Sequence, residues 1–192
     1  MKKILILFVG IVLSILSFFY YEQSAFHQYV NTIHQNHVML IPINQHAPVK
    51  SSNEIEIKAP IDIVWLTLTD IEHWTQWQKA VTETIVRDNI EAGTTFQWKA
   101  DGLTFQSTIH TSKPYTAFGW TGTTIGASAV HNWTFTEKDS NTTRIIVEES
   151  LQGVFPKVFR KNFQENLDQG LFTNLQELKD ASELKFKSLS IN

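Results

Sequence analysis

The sequence predicts an α+β fold: a curved antiparallel sheet of about seven strands gripping one long C-terminal helix, preceded by an N-terminal membrane-spanning or signal segment. Three observations predict it. Between Ala80 and Leu151, large apolar residues recur mainly at every second position, the period of strands. Between Phe159 and Leu178 they recur mainly at every fourth, the period of one helix face. Ahead of both stands the uncharged, mainly apolar run Ile4 to Tyr21.

The N-terminal run follows Met1-Lys2-Lys3 and has the minimum length of a bilayer span, ~18–20 residues. Phe18, Phe19, Tyr20 and Tyr21 have the composition of an interfacial aromatic belt. A cleavage site is poorly formed, because Gln23-Ser24-Ala25 and Ile15-Leu16-Ser17 both place a large residue at the −3 position. The expectation is therefore an uncleaved anchor over residues 4–21 of a bacterial cytoplasmic membrane protein. Lys2 and Lys3 stay inside and the domain lies outside; export after signal cleavage is the alternative. Residues 1–23 form this segment, 24–52 a juxtamembrane linker, and 53–186 the folded domain. The linker holds four of the seven histidines, His27, His34, His37 and His46. His34 and His37 have the spacing of a metal-binding pair, but no carboxylate completes the set, so no metal is expected. The apolar Val38 to Ile41 is suited to dock on the domain.

Within the domain, Asn53 to Lys58 alternates as a strand, with Ile55 and Ile57 on one face. Pro60 opens a helix in which Ile61, Val64, Trp65 and Leu68 fall at helical spacing. Asp70 to Trp77 reads as a second short helix or turn. Strands follow at Ala80–Val86, Thr94–Lys99 and Leu103–Ser112, the last two joined by the hairpin signal Asp101-Gly102. Lys113-Pro-Tyr115 turns into Thr116–Thr121, and Gly122–Gly126 reads as a loop. The final helix carries Phe159, Phe163, Leu167, Leu171, Leu175 and Leu178 as one stripe, with Gly170 inside it at a cost of ~1 kcal/mol relative to Ala. A curved sheet wrapped around this helix leaves room for a cavity between them.

Composition fits that picture. The chain has 192 residues, 42% hydrophobic and 12% aromatic, with six Trp and thirteen Phe, which suits a ring-lined core or cavity. The net charge is −3 with no long basic stretch, which argues against a nucleic-acid partner. Cysteine is absent, excluding disulfides, thiolate metal sites, a cysteine nucleophile and a lipoprotein anchor.

The most informative stretch is Trp120 to Gly153. His131, Trp133 and Phe135 share one face of a strand, and Ile145, Val147, Glu149 and Leu151 share a face of the next. A register opposing Phe135 to Ile145 and Trp133 to Val147 also opposes His131 to Glu149. An imidazole held by a carboxylate is a competent general base. The same pair could instead bind a ligand hydroxyl, or simply satisfy itself inside the sheet, since a buried charge needs a partner in any case. Phe96, Trp98, Phe105, Trp120, Trp133 and Phe135 are candidate cavity walls as well as ordinary core. Ser107 shares a face with Phe105 and Ile109 and either bonds a ligand or makes room. Trp74 and Trp77 read as core. Thr123-Thr-Ile125 between two glycines is an entrance loop or a plain turn.

The run Ile57 to Trp65 (IKAPIDIVW), with Leu68-Thr-Asp70 and Trp74-Thr-Gln-Trp77 after it, resembles the opening of the SRPBCC or START-like superfamily. That superfamily includes polyketide cyclase/dehydrase-type proteins with the helix-grip fold. Gly93-Thr-Thr-Phe96, Trp120-Thr-Gly122, His131-Asn-Trp133, Glu148-Glu149 and the end of the final helix at Leu175 to Lys179 are similar too. The resemblance spans about Asn53 to Glu183 and its motifs mark the fold, not a reaction. It implies a cavity that takes a hydrophobic small molecule or lipid; separately, the absence of a Gly-rich phosphate loop and of zinc or calcium motifs gives no reason to expect a cofactor. Some members are cyclases or hydrolases and many only bind or carry. The reading adopted is membrane-tethered binding of such a molecule. The alternative is an enzyme of the cyclase/dehydrase or hydrolase kind, with His131 and Glu149 as its catalytic pair.

Overall fold

The computed structural model describes the backbone of residues 2–35 and 40–190, and the side chains of residues 11–32 and 40–190. Seven strands form one antiparallel sheet in the order β1-β7-β6-β5-β4-β3-β2. They are β1 (Val49–Ile57), β2 (Val81–Val86), β3 (Thr95–Ala100), β4 (Leu103–Lys113), β5 (Ala117–Thr124), β6 (Ala127–Asp139) and β7 (Thr142–Gln152). The helices are α1 (Lys2–Gln35), α2 (Ile61–Thr69), the short α3 (Val154–Val158) and α4 (Arg160–Ser190). A 3-10 turn (Ile71–Gln76) follows α2.

Local chemistry explains the joints. Asp101 and Gly102 both take positive φ, 50° and 77°, as a two-residue hairpin turn between twisted strands requires. Register shifts near His110 on β4 and Lys138 on β6 mark bulges, which bend and twist a sheet. The expected loop at Gly122–Gly126 is shorter than its glycines suggest. β5 runs on to Thr124, whose hydroxyl donates to the Thr104 carbonyl (2.8 Å), and Gly126 at φ 68° makes a tight turn. The first strand is longer than expected, because β7 offers partners as far as Leu151, opposite Val49.

The concave face of the sheet receives α2 and α4. Leu167, Leu171, Leu175 and Leu178 of α4 are buried against Val64, Trp65 and Leu68 of α2 and the inward residues of the sheet. Each such side chain contributes ~1.5–3 kcal/mol by leaving water. Phe159 does not join this stripe: it closes α3 and is mostly exposed. Polar ties fasten α4 to the edge strand β1. The Ser51 hydroxyl donates to Asp168, the Gln164 amide to the Lys50 carbonyl (2.9 Å), and the Lys58 N–H to Glu183 (2.8 Å).

A second, smaller cluster lies on the convex face, where Phe26 of α1 packs with Ile41, Ile43 and Val130. Asn132 on β6 donates to the Ile41 carbonyl (2.8 Å), and Asn44 bonds Ser150 (3.0 Å) and Gln152 (2.7 Å) on β7. Ile41 thus docks on the domain, whereas Val38 and Met39, His37 and the His34 side chain lie outside the described residues.

The N-terminal segment requires a correction. Helix α1 does not stop at the aromatic residues ending the apolar run but continues to Gln35. Its Glu22 is buried in an ion pair with Lys157, Phe19 meets Phe155 edge-on at 5.9 Å, and Phe26 enters the convex cluster. This half of the helix is committed to the domain. Among the described residues, no helix is long and apolar enough to cross a membrane. The single anchor expected over residues 4–21, the membrane as partner, and the location at the bacterial cytoplasmic membrane that rested on them are therefore not upheld.

Candidate functional site

The ladder between β6 and β7 sets the site. It pairs Phe135 with Ile145, Trp133 with Val147 and His131 with Glu149. Alternation then turns all six side chains toward α4. His131 Nδ1 lies 2.7 Å from Glu149 Oε2. An ionised carboxylate only accepts, so Nδ1 carries the proton and donates it. The His131 ring is further fixed by Trp120, stacked on it at 4.3 Å between centroids and 8° between planes. Trp120 is its direct partner across the β5–β6 ladder. Trp133 sits beside the imidazole at 5.4 Å.

The imidazole is deeply placed, while the Glu149 side chain keeps 15% of its surface exposed. His131 is 5% exposed and Trp133 2%. His131 Nε2 and Trp133 Nε1 are both buried without a hydrogen-bond partner. Such atoms are rare in folded proteins, because each forfeits its bonds to water. In the neutral ring, Nε2 presents a lone pair while Nδ1 is held by Glu149, the arrangement of an oriented proton acceptor.

The remaining predicted residues occupy the same concave face. Trp98 stacks on Phe105 at 4.4 Å and 20°, and its indole N–H donates to the Ser107 hydroxyl (3.1 Å). Ser107 is thereby already engaged. Phe96 and Trp120 meet edge-on at 6.1 Å, and Phe135 packs against Trp65 at 5.2 Å. Two rings outside the predicted set complete the wall. Trp74 from the 3-10 turn touches Phe96, Trp98 and Trp120, with its N–H held by the Leu68 carbonyl (2.8 Å). Phe118 bridges Trp65 and Trp120. Phe118 stands two residues before Trp120 in one strand, so alternation alone points to it. Trp74 lies in a turn, where no period reveals its direction.

The space between sheet and α4 is thus lined and largely occupied by rings. A cavity of about 240 Å3 lies elsewhere, between α1 and the β5–β6 turn, with Phe19, Glu22, Ile125 and Val154 among its walls. Among the described residues, no group of three or more His, Cys, Asp or Glu side chains is gathered to hold a metal ion.

Comparison with known proteins fits this geometry. The family model described as "Polyketide cyclase / dehydrase and lipid transport" matches residues 48–183. The chain belongs to that family. A search of curated proteins finds no match. Among solved structures, a hypothetical protein (jhp0584) of Helicobacter pylori is 22% identical over 73% of this chain and 91% of its own, with a TM-score of 0.65. The Zhui aromatase/cyclase of Streptomyces sp. R1128 is 12% identical over 70% and 93%, with a TM-score of 0.63. The protein TTHA0849 of Thermus thermophilus is 17% identical over 69% and 96%, with a TM-score of 0.61. At these identities the likeness establishes the fold of this polyketide cyclase/dehydrase family member, and a fold hosts more than one chemistry.

Proposed function

We propose that this family member binds a hydrophobic small molecule against the ring-lined concave face, with the His131–Glu149 pair as its polar anchor. The observation that carries the reading is the unpartnered Nε2 of a buried, carboxylate-held histidine among stacked rings. A solvated histidine needs no such frame, and a purely structural pair seldom leaves a buried nitrogen unsatisfied. Phe96, Trp98, Phe105, Trp120, Trp133 and Phe135 form the apolar walls, and Ser107 holds the Trp98 indole in place. Ligand entry then requires some of these rings to part.

The family description favours a second reading, in which His131 acts as general base on the bound molecule and Glu149 orients it. The two readings share a site and differ in turnover. Organic extraction of the purified protein followed by mass spectrometry, with titration of an apolar fluorophore, tests the first. The expected result is a saturable site at which His131→Ala weakens binding about tenfold, the worth of one buried hydrogen bond. A folded protein that carries and accepts no apolar compound refutes it. For the second reading, a turnover assay on cyclisation or dehydration substrates is run with His131→Ala and Glu149→Gln. Activity that survives both changes removes the pair from catalysis.

A further inference from the structure

Two orphaned polar atoms belong to neighbouring rings on the concave face, and their chemistry is complementary. Glu149 accepts the Nδ1 proton of His131, so when the ring is neutral Nε2 has only a lone pair to offer. The Trp133 indole can only donate. The two rings are neighbours two residues apart on β6, with centroids 5.4 Å apart, and each is more than nine-tenths buried. Other buried indoles of this face do not share the condition: Trp74 donates to the Leu68 carbonyl and Trp98 to Ser107. Among the ring nitrogens of this face, the unmet bonds thus fall on one acceptor and one donor carried by neighbouring rings.

We infer that the bound molecule presents a hydroxyl group here, giving its proton to His131 Nε2 while an oxygen of the same molecule accepts the Trp133 N–H. This rests on the binding reading above and narrows it from any apolar compound to a hydroxylated one: a phenol, an enol or an alcohol on an apolar frame. A hydrocarbon chain leaves both atoms unsatisfied, at the desolvation cost of each. An ether or ketone can take the indole proton but has none to give the imidazole. A site built to bond a hydroxyl rejects the analogue that lacks one more strongly than a plain apolar pocket rejects a small change of size. A trapped water has the same bonding capacity and is the competing source of that oxygen.

The test uses two probes of nearly equal shape, 2-naphthol and 2-methylnaphthalene, titrated into the full chain by fluorescence. In parallel, the Trp133 indole N–H is followed by NMR, assigned with Trp133→Phe. The expected result is that 2-naphthol binds about tenfold more tightly or better. Its binding moves the Trp133 indole proton downfield, and 2-methylnaphthalene leaves that resonance without such a shift. His131→Phe and Trp133→Phe bring the two affinities toward parity; the wild-type comparison stands whether or not these variants fold. Equal affinities for the two probes, or tighter binding of 2-methylnaphthalene, overturn the hydroxyl inference and leave the binding reading intact, with water as the occupant. Failure of both probes to bind overturns the inference together with the reading beneath it.

Discussion

At the residue scale, the convex side of the sheet hinges on a missing side chain. A Cβ on Gly119 would stand 2.6 Å from His110 Cε1 and 2.7 Å from Asn132 Oδ1, inside any ordinary contact. The backbone there is not in the left-handed region, so space rather than conformation demands glycine. Gly119→Ala is expected to cost about 1–3 kcal/mol in urea unfolding through overpacking. Because Asn132 also holds the Ile41 carbonyl, limited proteolysis around residues 40–48 should quicken in the same variant. Unchanged stability and unchanged cleavage would show that both neighbours yield freely. The His131–Glu149 contact was legible in the sequence because alternation and one hairpin fix it without knowledge of anything distant. The orphaned Trp133 indole was not, because a hydrogen bond that fails to form depends on every neighbour at once.

At the element scale, α4 carries a glycine without local use for it. A Cβ on Gly170 meets nothing within 4 Å, so neither a close approach nor a turn requires it there. Gly170→Ala should raise stability by ~0.5–1 kcal/mol through helix propensity, seen as a higher melting temperature. A lower melting temperature would reveal a need for flexibility in this helix. The elements themselves were readable from periodicity and punctuation: Asp101-Gly102 for the hairpin, Pro60 for the start of α2, the four-residue steps of α4. Where the reading failed, a neighbour outweighed local sequence. Gly122 suggested a loop, yet the ladder to Ser107 extends through it. The apolar run before Glu22 suggested a separate span, yet α1 continues and seats Glu22 and Phe26 on the domain, contacts that local composition does not encode.

At the scale of the whole molecule, the concave face is held shut by α4, and one of its fastenings depends on protonation. Burial alone would raise the Glu183 carboxyl, but the Lys179 ammonium and the Lys58 backbone N–H outweigh it and hold the group below its ordinary value. A carboxyl lower in the folded than in the unfolded chain stabilises fully above the unfolded value, near ~4.3, and loses that contribution as pH falls through the folded one. Glu183→Gln should therefore melt a few degrees below the parent at neutral pH, with the gap closing as pH drops below about 4. A gap that persists unchanged into acid would assign the loss to packing. Sheet order has a different reach. Because β1 is completed only by β7, with Val49 opposite Leu151, a chain emerging from the ribosome holds its first strand unmatched until nearly the whole sheet has been synthesised. Closure at that seam is a late, long-range event, which makes folding slow for the chain's size and leaves β1 open to mispairing with other nascent copies in the interval.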